Sequence, residues 1–347
     1  MPSRLMKTRE DRLMKTREEI RSTSIRSESI TLDAVPRAAL ARSGDEDTTI
    51  AANSAPPVPV VLSFDVEEHH RIDAAAGLQV APLAQRIYRE RLSHSTTWIL
   101  EQLAERGIHA TFFIVGQIAE THPKLVKLIC EAGHEVASHG WDHRRIHVMS
   151  PESFKEDIRT SKDALEQVCG TAVVGYRAPT FSVVHQTAWA LDILAEVGMA
   201  YDSSIYPVHH DRYGIPGAPR CPFLAQGLER EILELPPATL GIGGLNVPIG
   251  GGGYFRLLPF PLMKLALSLS RRDPRCGATV LYFHPWEFDP DQPQLPLNAL
   301  SRFRTYVGIR RTRDRFVRLL SGYSFVRAVD LARQLDENRE SLTRFRP

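Results

Sequence analysis

From residue 58 onward two hydrophobic periods alternate along the chain. Residues 58–64 form a nearly unbroken β-branched and apolar run, the pattern of a strand buried on both faces in a parallel sheet. Helix-like spacing follows over 96–106, with Gly107 placed to stop it. The same reading predicts a strand over 110–115, a helix over 123–132 ended by Gly133, and a short strand over 135–138. Ser150-Pro151-Glu152 supplies an N-cap, a first-turn proline and an acidic first turn, and so opens a helix that runs to Cys169 and stops at Gly170. Further strands are predicted over 173–176, 199–202, 231–235 and 279–283, with a helix over 186–197. So many alternating units imply one α/β barrel rather than two domains.

Three stretches break the pattern. Residues 1–56 are rich in Arg, Ser, Glu, Asp and Thr, end in Pro56-Pro57, and are expected to be a disordered leader before a catalytic domain over 57–340. Within the leader RLMKTRE occurs at 4–10 and again at 12–18, which reads as a small duplication or an upstream start. Residues 241–253 are more than half glycine and are expected to be a flexible loop near the site, since no phosphate-loop signature is present. The tail from residue 298 is expected to be a helical extension. Its arginines at helical spacing, Arg302 to Arg318, read by default as a solvated face, with anionic-polymer binding as the alternative.

Composition narrows the classes. With 43 basic and 41 acidic residues the formal charge is +2, which favours neither nucleic acid nor an anionic surface in bulk. No stretch reaches the roughly 18 apolar residues of a membrane span, and no secretory signal is evident. Cys130, Cys169, Cys221 and Cys276 stand singly, so free thiols and a cytoplasmic location are expected.

Candidate chemistry lies at two places. In Gly133-His134-Glu135-Val136-Ala137-Ser138-His139-Gly140-Trp141-Asp142-His143, His139 and His143 are four apart, a spacing that puts both imidazoles on one side of a helical turn. Asp65 and Glu67 end the first strand, where alternation points them to the same side, and a barrel strand ends at its catalytic face. Two histidines and one carboxylate would leave a coordination position open for water. Glu68 competes with Glu67 as the carboxylate ligand, while His69 and His70 more naturally begin an exposed loop.

The order S-F-D-V-E, A-T-F-F-I-V-G, G-H-E-V-A-S-H-G-W-D-H, Y-R-A-P, Y-D-S-S and L-Y-F-H-P over residues 58–290 resembles the polysaccharide deacetylase family, carbohydrate esterase family four, with its NodB chitooligosaccharide deacetylases. The G-G-G-Y-F-R, H-P-W-E-F-D-P and R-F-R-x-Y-x-G segments further resemble the branch beside exopolysaccharide and exosortase loci. The resemblance implies a distorted (β/α) barrel of about seven parallel strands that removes acetyl groups from an N-acetylated glycan. It makes Asp65 the general base, His139 and His143 metal ligands, Arg177 the holder of the base and His284 the general acid. It places Pro179, Thr180 and Trp286 at the substrate. Asp202 would orient His284 or shape the groove, or form a structural turn. Typical members have two adjacent aspartates where this chain has Asp65-Val66-Glu67, so Glu67 is the inferred carboxylate ligand. The implied cofactor is one divalent ion, zinc by default, with cobalt, nickel or iron able to fit. A small non-sugar amide, as for an allantoinase, or a non-catalytic carbohydrate-binding role are the alternatives.

Overall fold

In the computed structural model, which describes residues 58–272 and 278–347, strand β1 (Val60–Val66) is buried along its whole length. Its alternation sets the plan of the molecule. Val60, Leu62, Phe64 and Val66 pack outward in one apolar cluster with Leu92, Ile99 and Leu103 of the helix Pro82–Ala104. Val61 faces inward with Phe113, Ala137 and Val280, and above it on the same face stand Ser63 and Asp65.

β2 (Thr111–Ile114), β3 (Glu135–Ser138), β4 (Gly175–Tyr176), β5 (Tyr201–Asp202), β6 (Phe223–Gln226) and β7 (Glu231–Glu234) follow in chain order. After them come β8 (Thr239–Ile242), β9 (Leu245–Pro248), β10 (Thr279–Phe283), β11 (Phe325–Val326) and β12 (Arg344–Phe345). The main sheet runs β10-β1-β2-β3-β4-β5-β7-β6-β12, and β11 adds to the start of β1. Seven strands from β10 to β7 are mutually parallel, and β6 is antiparallel to β7. This is the expected α/β, mostly parallel architecture. No continuous ladder closes it among the described residues, but isolated bridges Pro237↔Val280 and Gly251↔Tyr282 tie the chain beyond β7 to the free side of β10.

Local signals acted as expected at several boundaries. The helix Pro151–Cys169 begins with a capping box between Ser150 and Ser153 and ends at Gly170 in the left-handed region. The first helix starts at Pro82, well before the predicted residue 96, because its early turns are half-exposed and carry little apolar signal. Helix 186–197 shortens to Ala190–Glu196 after a single 3-10 turn, His185–Thr187.

The glycine-rich run is ordered, contrary to expectation. β8 and β9 pair as a hairpin about Gly243 and Gly244, whose φ values of 57° and 84° suit a two-residue turn that few other residues could make. Gly252–Leu257 then forms a helix. The cysteine expectation also fails: Cys130 and Cys169 form a disulfide across a Cα separation of 5.8 Å, and Cys221 is disulfide-bonded too. Cys276, the expected leader and its repeat lie outside the described residues.

The C-terminal segment closes the amino end of the parallel strands. Ala328 and Val329 of the helix Ala328–Asp336 donate to Thr111 Oγ1 and Glu135 Oε2, at 2.7 and 2.9 Å, and Leu331 joins the inner apolar cluster. β12 extends the fold beyond residue 340. Two tail arginines are structural rather than solvated. Arg315 Nη1 donates to the carbonyls of Phe255, Arg256 and Leu258, and Arg313 lies 4.7 Å over the Trp98 ring. Among the described residues no helix is long and apolar enough to cross a membrane.

Candidate active site

The carboxyl ends of the parallel strands surround a cavity of about 190 Å³. Asp65 of β1 and Glu67 just after it, His139 and His143 after β3, Thr180 after β4, and Tyr282 of β10 with His284 and Trp286 after it line it. This is where a barrel of this type collects its chemistry. Pro179, grouped with Thr180 by the sequence, is buried but does not line the cavity.

Glu67, His139 and His143 can place one ligand atom each within 4.8 Å of the others. No helix produces this. His139 directly follows β3, its amide bonded to Ile114 O, and the chain then turns through Gly140 (φ 74°) and His143 (φ 67°) to bring the second imidazole back, with ring centroids 5.1 Å apart. Asp157 supports the turn by accepting from Trp141 N at 2.8 Å.

His139 Nδ1 lies 2.8 Å from the Arg177 carbonyl, which can only accept, so Nδ1 carries the proton and Nε2 keeps its lone pair for an ion. Burial, only partly opposed by the Asp65 charge, pulls the His139 pKa down to about 4, so the ring is neutral at pH 7. Burial alone would raise the Glu67 carboxyl, but His143, His284 and His139 outweigh it and hold Glu67 well below the usual carboxylate range. Glu67 Oε2 is 2.5 Å from His143 Nε2 yet is buried without a properly aligned hydrogen bond. An orphaned carboxylate oxygen against two imidazoles is a donor set that suits a divalent ion.

Glu68 takes no part. It is fully buried, accepts from Arg71 Nε at 2.5 Å, and lies 3.9 Å from Arg89. Neither Glu68 nor His70 lines the cavity. His69 is buried rather than exposed, with Nε2 2.8 Å from Tyr306 Oη and its ring 4.8 Å from that of Trp286.

Asp65 is gripped by Arg177, the largest fully buried side chain. Arg177 Nη1 donates to Asp65 Oδ1 at 2.6 Å and to Ser63 Oγ at 2.9 Å, Nη2 donates to Ser203 Oγ at 2.9 Å, and the guanidinium lies 4.0 Å from the Phe113 ring centroid. One carboxylate oxygen is thereby fixed, while Oδ2 stays 3.9 Å from His284 Nε2. Thr180 and Phe181 both have positive φ, 56° and 50°, unusual for such residues and a local strain at the cavity wall.

Glu287, not Asp202, orients His284. Glu287 Oε1 is 2.8 Å from His284 Nδ1, while Arg256 Nε donates to Glu287 Oε2 at 2.8 Å. Burial pulls the His284 imidazole down, but its hydrogen bond to Glu287 and the charges of Glu67, Glu287 and Asp65 prevail and hold its pKa at about 9. Asp202 instead accepts from Ser203 N and Ser204 Oγ, so it builds the turn behind Arg177. Sequence reasoning missed Glu287 and Arg256. The signal was available, because both lie inside the quoted H-P-W-E-F and G-G-G-Y-F-R segments and Glu287 follows His284 by three.

Residues 80–201 match a family model for polysaccharide deacetylase, and residues 203–333 match one for a domain of unknown function (DUF3473). A chitooligosaccharide deacetylase of Rhizobium leguminosarum bv. trifolii is 29% identical over 33% of this chain and 50% of its own length. A peptidoglycan-N-acetylglucosamine deacetylase of Bacillus cereus is 29% identical over 28% of this chain and 36% of its own. The chain thus spans half or less of the curated relatives it matches. A Mycobacterium smegmatis structure assigned to the polysaccharide deacetylases is similar with a TM-score of 0.56 at 22% identity, covering 84% of this chain and 98% of that one. Puue allantoinase is similar with a TM-score of 0.54 at 16% identity, covering 85% and 98%. Residues 80–201 thus carry the sequence pattern of the polysaccharide deacetylase family, on a fold that its solved relatives share.

Proposed function

We propose that this protein hydrolyses the acetamide of an N-acetylated amino sugar in a glycan, releasing acetate, with a divalent ion held by Glu67, His139 and His143. The observation that carries this reading is the convergence of those three ligand atoms beside an arginine-fixed carboxylate and a glutamate-held histidine in one cavity.

An ion in that position would lower the pKa of a water molecule and polarise the acetamide carbonyl, with zinc the default for this donor set and cobalt, nickel or iron the other candidates. Asp65, its Oδ1 fixed by Arg177, takes the proton from the attacking water through Oδ2. The Thr180 backbone N–H is the oxyanion donor in this reading. His284, kept protonated across neutral pH, gives its proton to the departing amine, with Glu287 and Arg256 holding it in place. Trp286 and Tyr282 form the walls against the sugar.

The relatives that act on chitooligosaccharide and peptidoglycan support a glycan substrate, and the exopolysaccharide-associated branch remains our assignment of its biological setting. With Cys130 and Cys169 paired, the cysteines no longer support a reducing, cytoplasmic location, and we place the protein in an oxidising compartment. Metal content and acetate release, measured on one preparation against a panel of acetylated glycans with a ureide as control, test the proposal. Bound metal without acetate release from any glycan would defeat it.

A further inference from the structure

The helix Phe260–Ser270 carries leucines on both sides. Met263, Ala266 and Leu267 are buried, as a surface helix requires, yet Leu262, Leu265 and Leu269 are 53%, 55% and 44% exposed. β8 packs against this helix, and its hairpin shows the same inversion. Ile242 and Leu245, on either side of the Gly243-Gly244 turn, are 56% and 63% exposed. Two neighbouring elements that both turn large apolar side chains to the surface mark an interaction site rather than ordinary scatter.

Charge selects the partner. Residues 235–272 contain no Asp or Glu, and their charged residues are Arg256, Lys264, Arg271 and Arg272. Arg256 is consumed by Glu287, whereas Lys264 and Arg272 are exposed. Two copies meeting through this face would set Lys264 against its own equivalent with no acidic residue within 235–272 to offset it, the first acid beyond being Asp273, which disfavours self-association. Exposed leucines bordered by cations, with an apolar pair at a protruding turn, match an anionic membrane interface.

We propose that the β8–β9 hairpin and the helix Phe260–Ser270 dock on anionic lipid headgroups, with the leucines and the hairpin turn entering the interface. The segment is continuous with the catalytic wall. Asn246 Nδ2 donates to Pro207 O at 2.8 Å, Gly251 bridges Tyr282, and Gly252 lies against Glu287 with no room for a side chain. Docking there would suit an acetylated glycan carried on a lipid. That last step rests on the deacetylase reading, whereas the docking itself does not.

The test is co-sedimentation of the full chain with vesicles of phosphatidylcholine alone and of equal parts phosphatidylcholine and phosphatidylglycerol. Binding is expected to the second, weakening as salt rises. Leu245→Glu and Leu265→Glu should each lower the partition coefficient at least about tenfold, since each puts a charge where an apolar side chain enters the interface. Lys264→Glu should lower it about fivefold or more through lost headgroup attraction. Thermal unfolding identifies any variant that misfolds, in which case Leu265→Ser serves in its place. Acetate release from a soluble chitooligosaccharide should be unchanged in all of them, because none lines the cavity. Failure of the unaltered chain to bind vesicles, or binding that survives both leucine changes, overturns the proposal. So does a dimer that Leu265→Glu dissociates, or capture of this face by a purified protein without vesicle binding. Vesicle binding is read without any activity, so its failure would leave the deacetylase reading standing.

Discussion

Glu67→Gln and Glu68→Gln, compared side by side, test the metal centre most sharply, because the structure gives them opposite signatures. Gln keeps the volume of Glu67 but removes the charge that would face the ion. Losing a partner one step removed from a metal commonly costs ~10–100-fold in affinity, so about 100-fold is the floor for a direct ligand. That corresponds to about 2.8 kcal/mol. The metal-free fold should lose stability as well, since the histidine interactions outweigh burial and the neutral amide forgoes them. Glu68 differs in leaving the ion's ligands untouched. Breaking a buried pair costs ~3–5 kcal/mol, but Arg71 is partly exposed and retains bonds to Asp142 O and Gln117 Oε1. A loss of about 1–2 kcal/mol is therefore expected for Glu68→Gln, with metal affinity intact. Equilibrium dialysis in zinc buffers with elemental analysis reads the first quantity, and thermal unfolding in EDTA reads the second. Metal loss in Glu68→Gln with retention in Glu67→Gln would move the ligand, and retention in both would refute the site as drawn.

Other expectations follow from the same geometry. His284→Ala should lower kcat by about 10²–10⁴ while leaving bound metal in place, and a parallel loss of metal would show that His284 is a ligand instead. His284 is held above its ordinary pKa, so its acid form persists through neutral pH and is lost as pH rises through about 9. Glu287→Gln removes the main support and should shift the alkaline limb of kcat/KM to lower pH, whereas an unmoved limb would assign that limb to another group. His139→Ala should strip the ion and abolish acetate release together; activity at normal metal content would exclude it as a ligand. A chain beginning at Pro57 should fold and keep its activity, and aggregation of that chain would place the leader in the core.

Much of the framework followed from local rules. The parallel strands announced themselves as short apolar runs because burial on both faces leaves no polar period to hide them. Ser150 and Gly170 bounded their helix by satisfying its end groups, an effect confined to a few residues of sequence. Alternation alone put Asp65 and Glu67 on the inner face. What needed the tertiary structure were relations between distant segments. His139 and His143 meet through two positive-φ positions, not the helical turn that their spacing suggested. The choice of Glu67 over Glu68 depends on where Arg71 and Arg89 stand. The partner of His284 is Glu287, fixed in turn by Arg256, while Asp202 is taken up by Ser203 and Ser204. The pairing of Cys130 with Cys169 likewise required the helix Pro123–Glu131 and the end of Pro151–Cys169 to be packed together. Period and capping act over one or two turns of chain and so can be read in order. Ion pairs, disulfides and shared ligands act through space, and only the folded packing decides which of several chemically suitable partners comes within reach.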